Sequence, residues 1–213
     1  MRCAVLGTGT VGRTLAGRLA ELGHAVRLGT RDPSTTRTRD DWTELPGVEL
    51  TTFADATVDA DVVLHAGNGA AALDLLAQAG DLAGTVLVDI SNPLDFSAGF
   101  PPTLTVKDTD SLGEQVQRAF PDALVVKTLN TLTADLMAHP ERLPEPTTVF
   151  VSGDDAEAKR LVTGLLTELG HQDVLDLGGI ETCRGVEMWL PLWLRVMGAL
   201  GTAEFNIKVV RGS

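Results

Sequence analysis

The sequence predicts an α/β protein: a doubly wound, mainly parallel sheet with a small α/β extension at its C-terminal end. Three observations carry that prediction. Apolar runs of strand length alternate with helix-period segments along the whole chain. Several of those runs, such as CAVL, DVVLHA and TVLVDI, are continuously apolar rather than alternating, as strands covered on both faces are. A glycine cluster also joins the first run to the first helical segment. A length of 213 residues suits one domain plus an extension.

Taken in order, Arg2 to Leu6 reads as a buried strand. Val11 to Leu22 reads as a helix, with Val11, Leu15, Leu19 and Leu22 at helical spacing and Gly23 as its C-cap. Ala25 to Leu28 completes a βαβ unit. Strands follow at Val48 to Phe53, Asp61 to Ala66 and Thr85 to Ile90, with a helix over Ala70 to Ala79. Residues 91–108 hold Pro93, Pro101 and Pro102 and read as a long connection with a binding or covering role. Beyond it come a helix over Ser111 to Phe120, a strand over Leu124 to Lys127 and a short helix over Thr133 to Ala138. A strand over Thr148 to Val151 and a helix over Asp154 to Leu169 follow, then a strand over Gln172 to Leu175. Ile180 to Leu200 holds the last helix, with a kink expected at Pro191, and Phe205 to Val210 reads as a terminal strand. We divide the chain into a dinucleotide-binding Rossmann domain, 1–130, and a smaller C-terminal α/β segment, 131–213, packed on it.

Acidic residues outnumber basic ones by 29 to 17, a formal charge of −12, which argues against a nucleic-acid partner. Cys3 and Cys183 are too few for a disulfide framework or a four-ligand zinc site, so no metal is expected, and Cys3 reads as a buried inert thiol. Glycines interrupt any N-terminal signal segment, and the apolar stretch Met188 to Leu194 is too short to span a membrane. The expectation is a soluble cytoplasmic protein. Met188, Trp189, Leu190, Leu192, Trp193 and Met197 suggest core packing or a homodimer interface, or a wall for a planar ring formed by Trp189 or Leu190.

The glycines point to a ligand. Gly7-Thr8-Gly9-Thr10-Val11-Gly12 follows a strand and opens a helix. Gly7 permits the tight turn, Gly9 lets backbone approach a pyrophosphate, and Gly12 lets helix and strand pack closely. Free N–H groups at the helix start then face the anion. At the end of the second strand an NAD site carries an acid; here Thr30 and Arg31 stand in that place, which suits the 2′-phosphate of NADP. Arg37 and Arg39 add charge nearby. Asp32 is a partner for Arg31, a residue that softens the discrimination, or a turn residue before Pro33, the reading favoured here.

The other strand ends bring Ala66-Gly67-Asn68, Ser91-Asn92-Pro93 and Asn130-Thr131 to the carboxyl edge, where ligands bind in open α/β sheets. His65 and Asn130 are the pocket candidates there. His65 also reads plainly as a loop histidine bonded to backbone. Lys127 reads as an anion-facing or solvated lysine, or as a base if buried. No clear acid–base pair emerges, which suits hydride transfer between two cofactor rings.

The stretch VLGTGTVGRTLAGRLAELGHAVRLGTRDP resembles the NADP-binding start of F420-dependent NADP reductases. DISNPLD, VVKTLNT, VFVSGDDAEAK and IETCRGVEMWLPLW resemble the cytosolic oxidoreductase domain of the STEAP metalloreductases, of the same superfamily. The resemblance implies that Thr30 and Arg31 read the 2′-phosphate and that hydride passes between NADP(H) and F420, FMN or FAD. F420-dependent members tend to carry a histidine in the segment matching 128–131, where this chain has Asn130, as the metalloreductase domain does. Two alternatives stay open: an NADPH-binding sensor without turnover, and a reductase of an unidentified small molecule. A dehydrogenase of the 6-phosphogluconate type would need an all-helical C-terminal domain, whereas strands are predicted here.

Overall fold

Strand β1 (Arg2–Leu6) shows why the central runs are apolar throughout: Cys3 and Val5 face one core layer, Ala4 and Leu6 the other. The computed structural model describes residues 1–212. With β2 (Ala25–Thr30), β3 (Val48–Thr52), β4 (Val62–His65), β5 (Val86–Asp89) and β8 (Leu124–Thr128), β1 forms a parallel sheet in the order β3-β2-β1-β4-β5-β8. That is the Rossmann strand order, with its reversal between β1 and β4. Strand β9 (Thr148–Ser152) adds antiparallel to β8, and β10 (Asp173–Asp176) pairs parallel with β9, so the sheet has eight strands. The predicted mainly parallel α/β sheet is the observed one.

Helices cover both faces. On one lie α1 (Thr10–Glu21), α6 (Ala134–Ala138) and α7 (Ala156–Leu169), which bury Leu15, Leu19, Leu136, Leu165, Leu166 and Leu169. Each such leucine contributes roughly 2 kcal/mol of burial. On the other lie α3 (Phe53–Thr57), α4 (Ala72–Leu76), α5 (Leu112–Ala119) and α8 (Cys183–Met188). Cys3 is the buried thiol expected, and burial pushes it up to about 11.

Several boundaries differ from the sequence reading. α2 (Pro33–Arg37) was not predicted; its PSTTR has no apolar face, and Asp32 holds it by capping. α3 begins where the third strand was extended to Phe53, because Thr52 caps it by accepting from the Asp55 N–H. The helix over Ala70 to Ala79 is a 3-10 turn, Gly69–Ala71, followed by the short α4. Within 91–108, β6 (Leu94–Asp95) and β7 (Thr103–Leu104) form a small antiparallel hairpin. The last helix is broken into a 3-10 turn (Ile180–Thr182), α8 and α9 (Leu190–Leu200), with Pro191 at the start of α9. Proline fits that first turn, where its missing N–H costs nothing. Phe205 to Val210 is no strand. It is tied to the start of β9 by the Thr148 N–H donating to Ile207 O, by the Asn206 amide donating to Thr148 O and by the Val209 N–H donating to the Thr148 hydroxyl.

Candidate active site

The glycine turn lies at the reversal between β1 and β4. Gly7 has φ +122°, and a Cβ there would stand 2.9 Å from Ala66 O. A Cβ on Gly12 would stand 1.8 Å from Gly7 O, so helix and turn touch backbone to backbone. Beside Gly9 a Cβ would meet nothing within 4 Å, which leaves a cradle open to a ligand. Gly9 caps α1 without a side chain, and the first turn carries no acid. The helix amides and dipole there favour a phosphate. A dinucleotide pyrophosphate fits this cradle.

At the end of β2, Asp32 accepts from the Ser34 N–H and hydroxyl (2.9 and 2.7 Å) and from the Thr35 N–H and hydroxyl (3.3 and 2.6 Å). The Ser34 and Thr35 donors hold its carboxyl at about 2. Asp32 is thus the turn and capping residue, not the partner of Arg31. Arg31 is exposed and makes no ion pair among the described residues. Thr30 is buried, its hydroxyl 2.8 Å from that of Thr36. Arg37 and Arg39, expected to supply free charge, are paired with Glu44 and Asp41. Arg39 also donates to the Thr8 hydroxyl at 3.0 Å, tying this segment to the glycine turn.

Across the reversal, three loops are locked together. A Cβ on Gly69 would stand 2.0 Å from Asn92 O, so loop 66–69 lies directly on loop 91–93. Asn68 caps the 3-10 turn by accepting from the Ala70 N–H. Asn92 Nδ2 donates to Asn130 O at 2.8 Å, and Asn130 Nδ2 donates to Asn92 Oδ1 at 2.9 Å and to Val186 O at 3.1 Å. Ser91, Pro93, Asn130 and Thr131 are buried, while Asn92, Ala66 and Gly67 are half-buried.

Beneath this edge lies a charged cluster. His65, Asp89 and Lys127 are register neighbours at the ends of β4, β5 and β8. All three are fully buried. His65 Nδ1 lies 3.1 Å from Asp89 Oδ1; its Nε2 has no partner and sits under Gly67. His65 is therefore neither a loop residue nor a group lining an open pocket. Lys127 Nζ donates to Asp89 Oδ2 (2.8 Å) and Ser91 O (2.6 Å) and forms an ion pair with Glu187 Oε1 at 2.9 Å. This corrects the solvated reading. Burial alone would push Lys127 down, but Asp89 and Glu187 outweigh it and hold the amine above its ordinary value. Burial likewise opposes the charge on Asp89, yet Lys127 and His65 keep it below the usual carboxylate range.

A family model described as NADP oxidoreductase, coenzyme F420-dependent, matches residues 2–93. A solved structure from Arthrobacter sp. FB24, provisionally assigned as an F420-dependent NADP reductase, is 57% identical with a TM-score of 0.96; the match covers 99% of this chain and 100% of that one. The chain belongs to the F420-dependent NADP oxidoreductase family. The F420-dependent NADP reductase of Methanocaldococcus jannaschii is 27% identical over 203 residues, 90% of each chain. Metalloreductase STEAP3 of Rattus norvegicus is 30% identical over 198 residues, and the match spans 90% of this chain but only 38% of that protein.

Of the two C-terminal helices, α8 joins the core through Cys183, whereas most of α9 does not. Of α9 only Leu190 is buried, and Leu192 and Leu200 are 50% and 57% exposed. Core packing holds for Leu190 alone in that segment: Trp193 and Met197 are half-buried, Trp193 stacking on Phe205, and Leu192 lies exposed. No helix among the described residues is long and apolar enough to cross a membrane, and no metal-binding cluster occurs among them. Sequence reasoning missed Gly69, Asp89 and Glu187. A signal for Asp89 was present: strands VVLH, VLVD and LVVKT each carry a charged or polar side chain at the same register position.

Proposed function

We propose that this protein transfers hydride between NADP(H) and a flavin or a deazaflavin of the F420 type. The observation that carries the reading is the end of β2: the acid there, Asp32, is consumed as a helix cap, and Arg31 beside it makes no ion pair among the described residues. Gly7, Thr8, Gly9, Thr10, Val11 and Gly12 would hold the pyrophosphate, and Thr30 and Arg31 the 2′-phosphate. Ala66 to Asn68, Ser91 to Pro93, Asn130 and Thr131 would line the ring end.

When bound, NADPH would supply the hydride donor. The chain's part is to align the two rings and exclude water. The titratable groups nearest that edge, His65 and Lys127, are sealed below it, and the edge itself is built of amides. That arrangement supports ring-to-ring transfer, which needs no side-chain proton. The relative from M. jannaschii, an F420-dependent NADP reductase, supports F420 as one acceptor.

Arg31→Ala tests the cofactor reading. The charge-assisted contact with a phosphate is worth about 1.5–3 kcal/mol, so KM for NADPH is expected to rise roughly ten- to a hundredfold. KM for NADH should stay within about twofold, since the lost partner is the 2′-phosphate. Equal losses for both cofactors would remove this role from Arg31. We also read α9 as a homodimer interface, supported by its exposed Leu192 and Leu200; a light-scattering mass of a single chain would refute it. The buried free thiols of Cys3 and Cys183 agree with a reducing, cytoplasmic setting.

A further inference from the structure

We propose that Lys127 and Glu187 are a positioning pair, a buried strut that sets where the Ser91–Pro93 loop and Asn130 meet the nicotinamide end of the cofactor. The inference rests on the cofactor reading above and names residues to which that reading gives no role.

Hydrogen bonds and the Lys127–Glu187 ion pair form a closed ring in two layers. In the lower, charged layer Asp89 accepts from the Ser91 N–H (3.0 Å) and hydroxyl (2.7 Å), while Lys127 donates to Ser91 O. Ser91 is thus gripped on both backbone sides by buried charges. Lys127 reaches on to Glu187 of α8, which itself accepts from the Leu112 and Gly113 N–H groups at the start of α5 (2.8 and 3.0 Å). In the upper layer Asn92 and Asn130 pair, and Asn130 donates to Val186 O, the neighbour of Glu187. Each layer therefore ties β8 both to the end of β5 and to α8. Between Lys127 and Asn130, Leu129 is held at φ +60°, a conformation unusual for a branched residue and sustained only where the surroundings over-determine it.

Two carboxylates around one ammonium leave a surplus negative charge. The first amides of α5 absorb it, which explains why Glu187 caps a helix and pairs with Lys127 at once. A nonpolar contact could fill this space, but it would not dictate the orientation of the Ser91 carbonyl. The amide layer above takes its position from that carbonyl and its neighbours.

Glu187→Gln tests the strut, since it removes one charge and keeps the shape. NADPH binding is followed by Kd and by the emission of the bound nicotinamide. Val162→Ala, in α7 on the far face, serves as a control for simple loss of stability. The expected result is an unchanged Kd, within about twofold, because the glycine turn and Arg31 hold the other end of the cofactor. The nicotinamide emission should move toward that of free NADPH, and kcat should fall on the order of ten- to a hundredfold with any acceptor that turns over. Val162→Ala should lower the melting temperature and leave emission and kcat alone. If Glu187→Gln does not fold, Lys127→Arg carries the same test, because its planar fork keeps the charge but cannot reproduce the three contacts. Wild-type emission and kcat in the folded variant would overturn the proposal, as would equal losses in Val162→Ala. A wild type that binds NADPH but reduces no acceptor would defeat the acceptor reading instead, and the emission result would still decide the strut.

Discussion

Lys127→Met is expected to destabilise the protein by about 3–5 kcal/mol, the usual cost of removing one partner from a buried charge pair. For a domain of this length that corresponds to a fall in melting temperature of roughly 6–20 °C. The reason is specific: without the ammonium, Asp89 and Glu187 face each other as buried carboxylates, and Ser91 O loses its donor. The pH dependence has a definite sign. Asp89 is held below its ordinary value, so its contribution is present above about pH 4 and is lost as pH falls through the depressed value. Lys127 is held above its ordinary value, so its contribution is full below about pH 10 and is lost as pH rises through the raised value. The gap between wild type and variant should therefore be widest near neutrality. It should narrow in acid, where the variant relieves its repulsion by taking up a proton. Urea unfolding at several pH values checks this; a gap below about 1 kcal/mol at neutral pH would mean that the cluster is hydrated or rearranged.

Gly9→Ala and Gly12→Ala should part company in a way that no general glycine effect predicts. At Gly12 the new methyl would stand 1.8 Å from Gly7 O, and Gly7 is anchored through its N–H to Gly29 O and by its approach to Ala66. Neither backbone can yield, so Gly12→Ala should lower the melting temperature and weaken NADPH binding a hundredfold or more, on the order of 3 kcal/mol. At Gly9 the methyl meets no protein atom, and the backbone (φ −75°) suits alanine. Gly9→Ala should fold as well as wild type, or slightly better. It should still weaken NADPH binding on the order of tenfold, because the methyl occupies the space of the pyrophosphate. Thermal melts with calorimetric titration separate the two. Undiminished NADPH binding by Gly9→Ala would remove the pyrophosphate from this cradle.

The parallel strands were legible because a sheet covered on both faces makes unbroken apolar runs, and CAVL or TVLVDI allow little else. The glycine turn was legible because its spacing is set by backbone contacts that tolerate no Cβ. α2 was not, since its stability comes from the Asp32 cap rather than an apolar face. The tail over Phe205 to Val210 has strand composition, yet its hydrogen bonds to β9 are too few to make a ladder. The buried cluster was hidden for a different reason. Glu187 lies far from Asp89 and Lys127 in the chain, and only the fold of α8 onto α5 brings it there. Lys127 read as solvated because a lone lysine is usually so; strand register, which gives it Asp89 as a neighbour, reverses that.

Hydride transfer from NADPH to a ring acceptor at this edge can be measured in one assay. The most direct measurement is the loss of NADPH absorbance with the purified protein, offered F420, FMN, FAD and riboflavin in turn. Turnover is expected with at least one of these rings, with NADPH strongly preferred to NADH. Tight NADPH binding with none of the four reduced would contradict it.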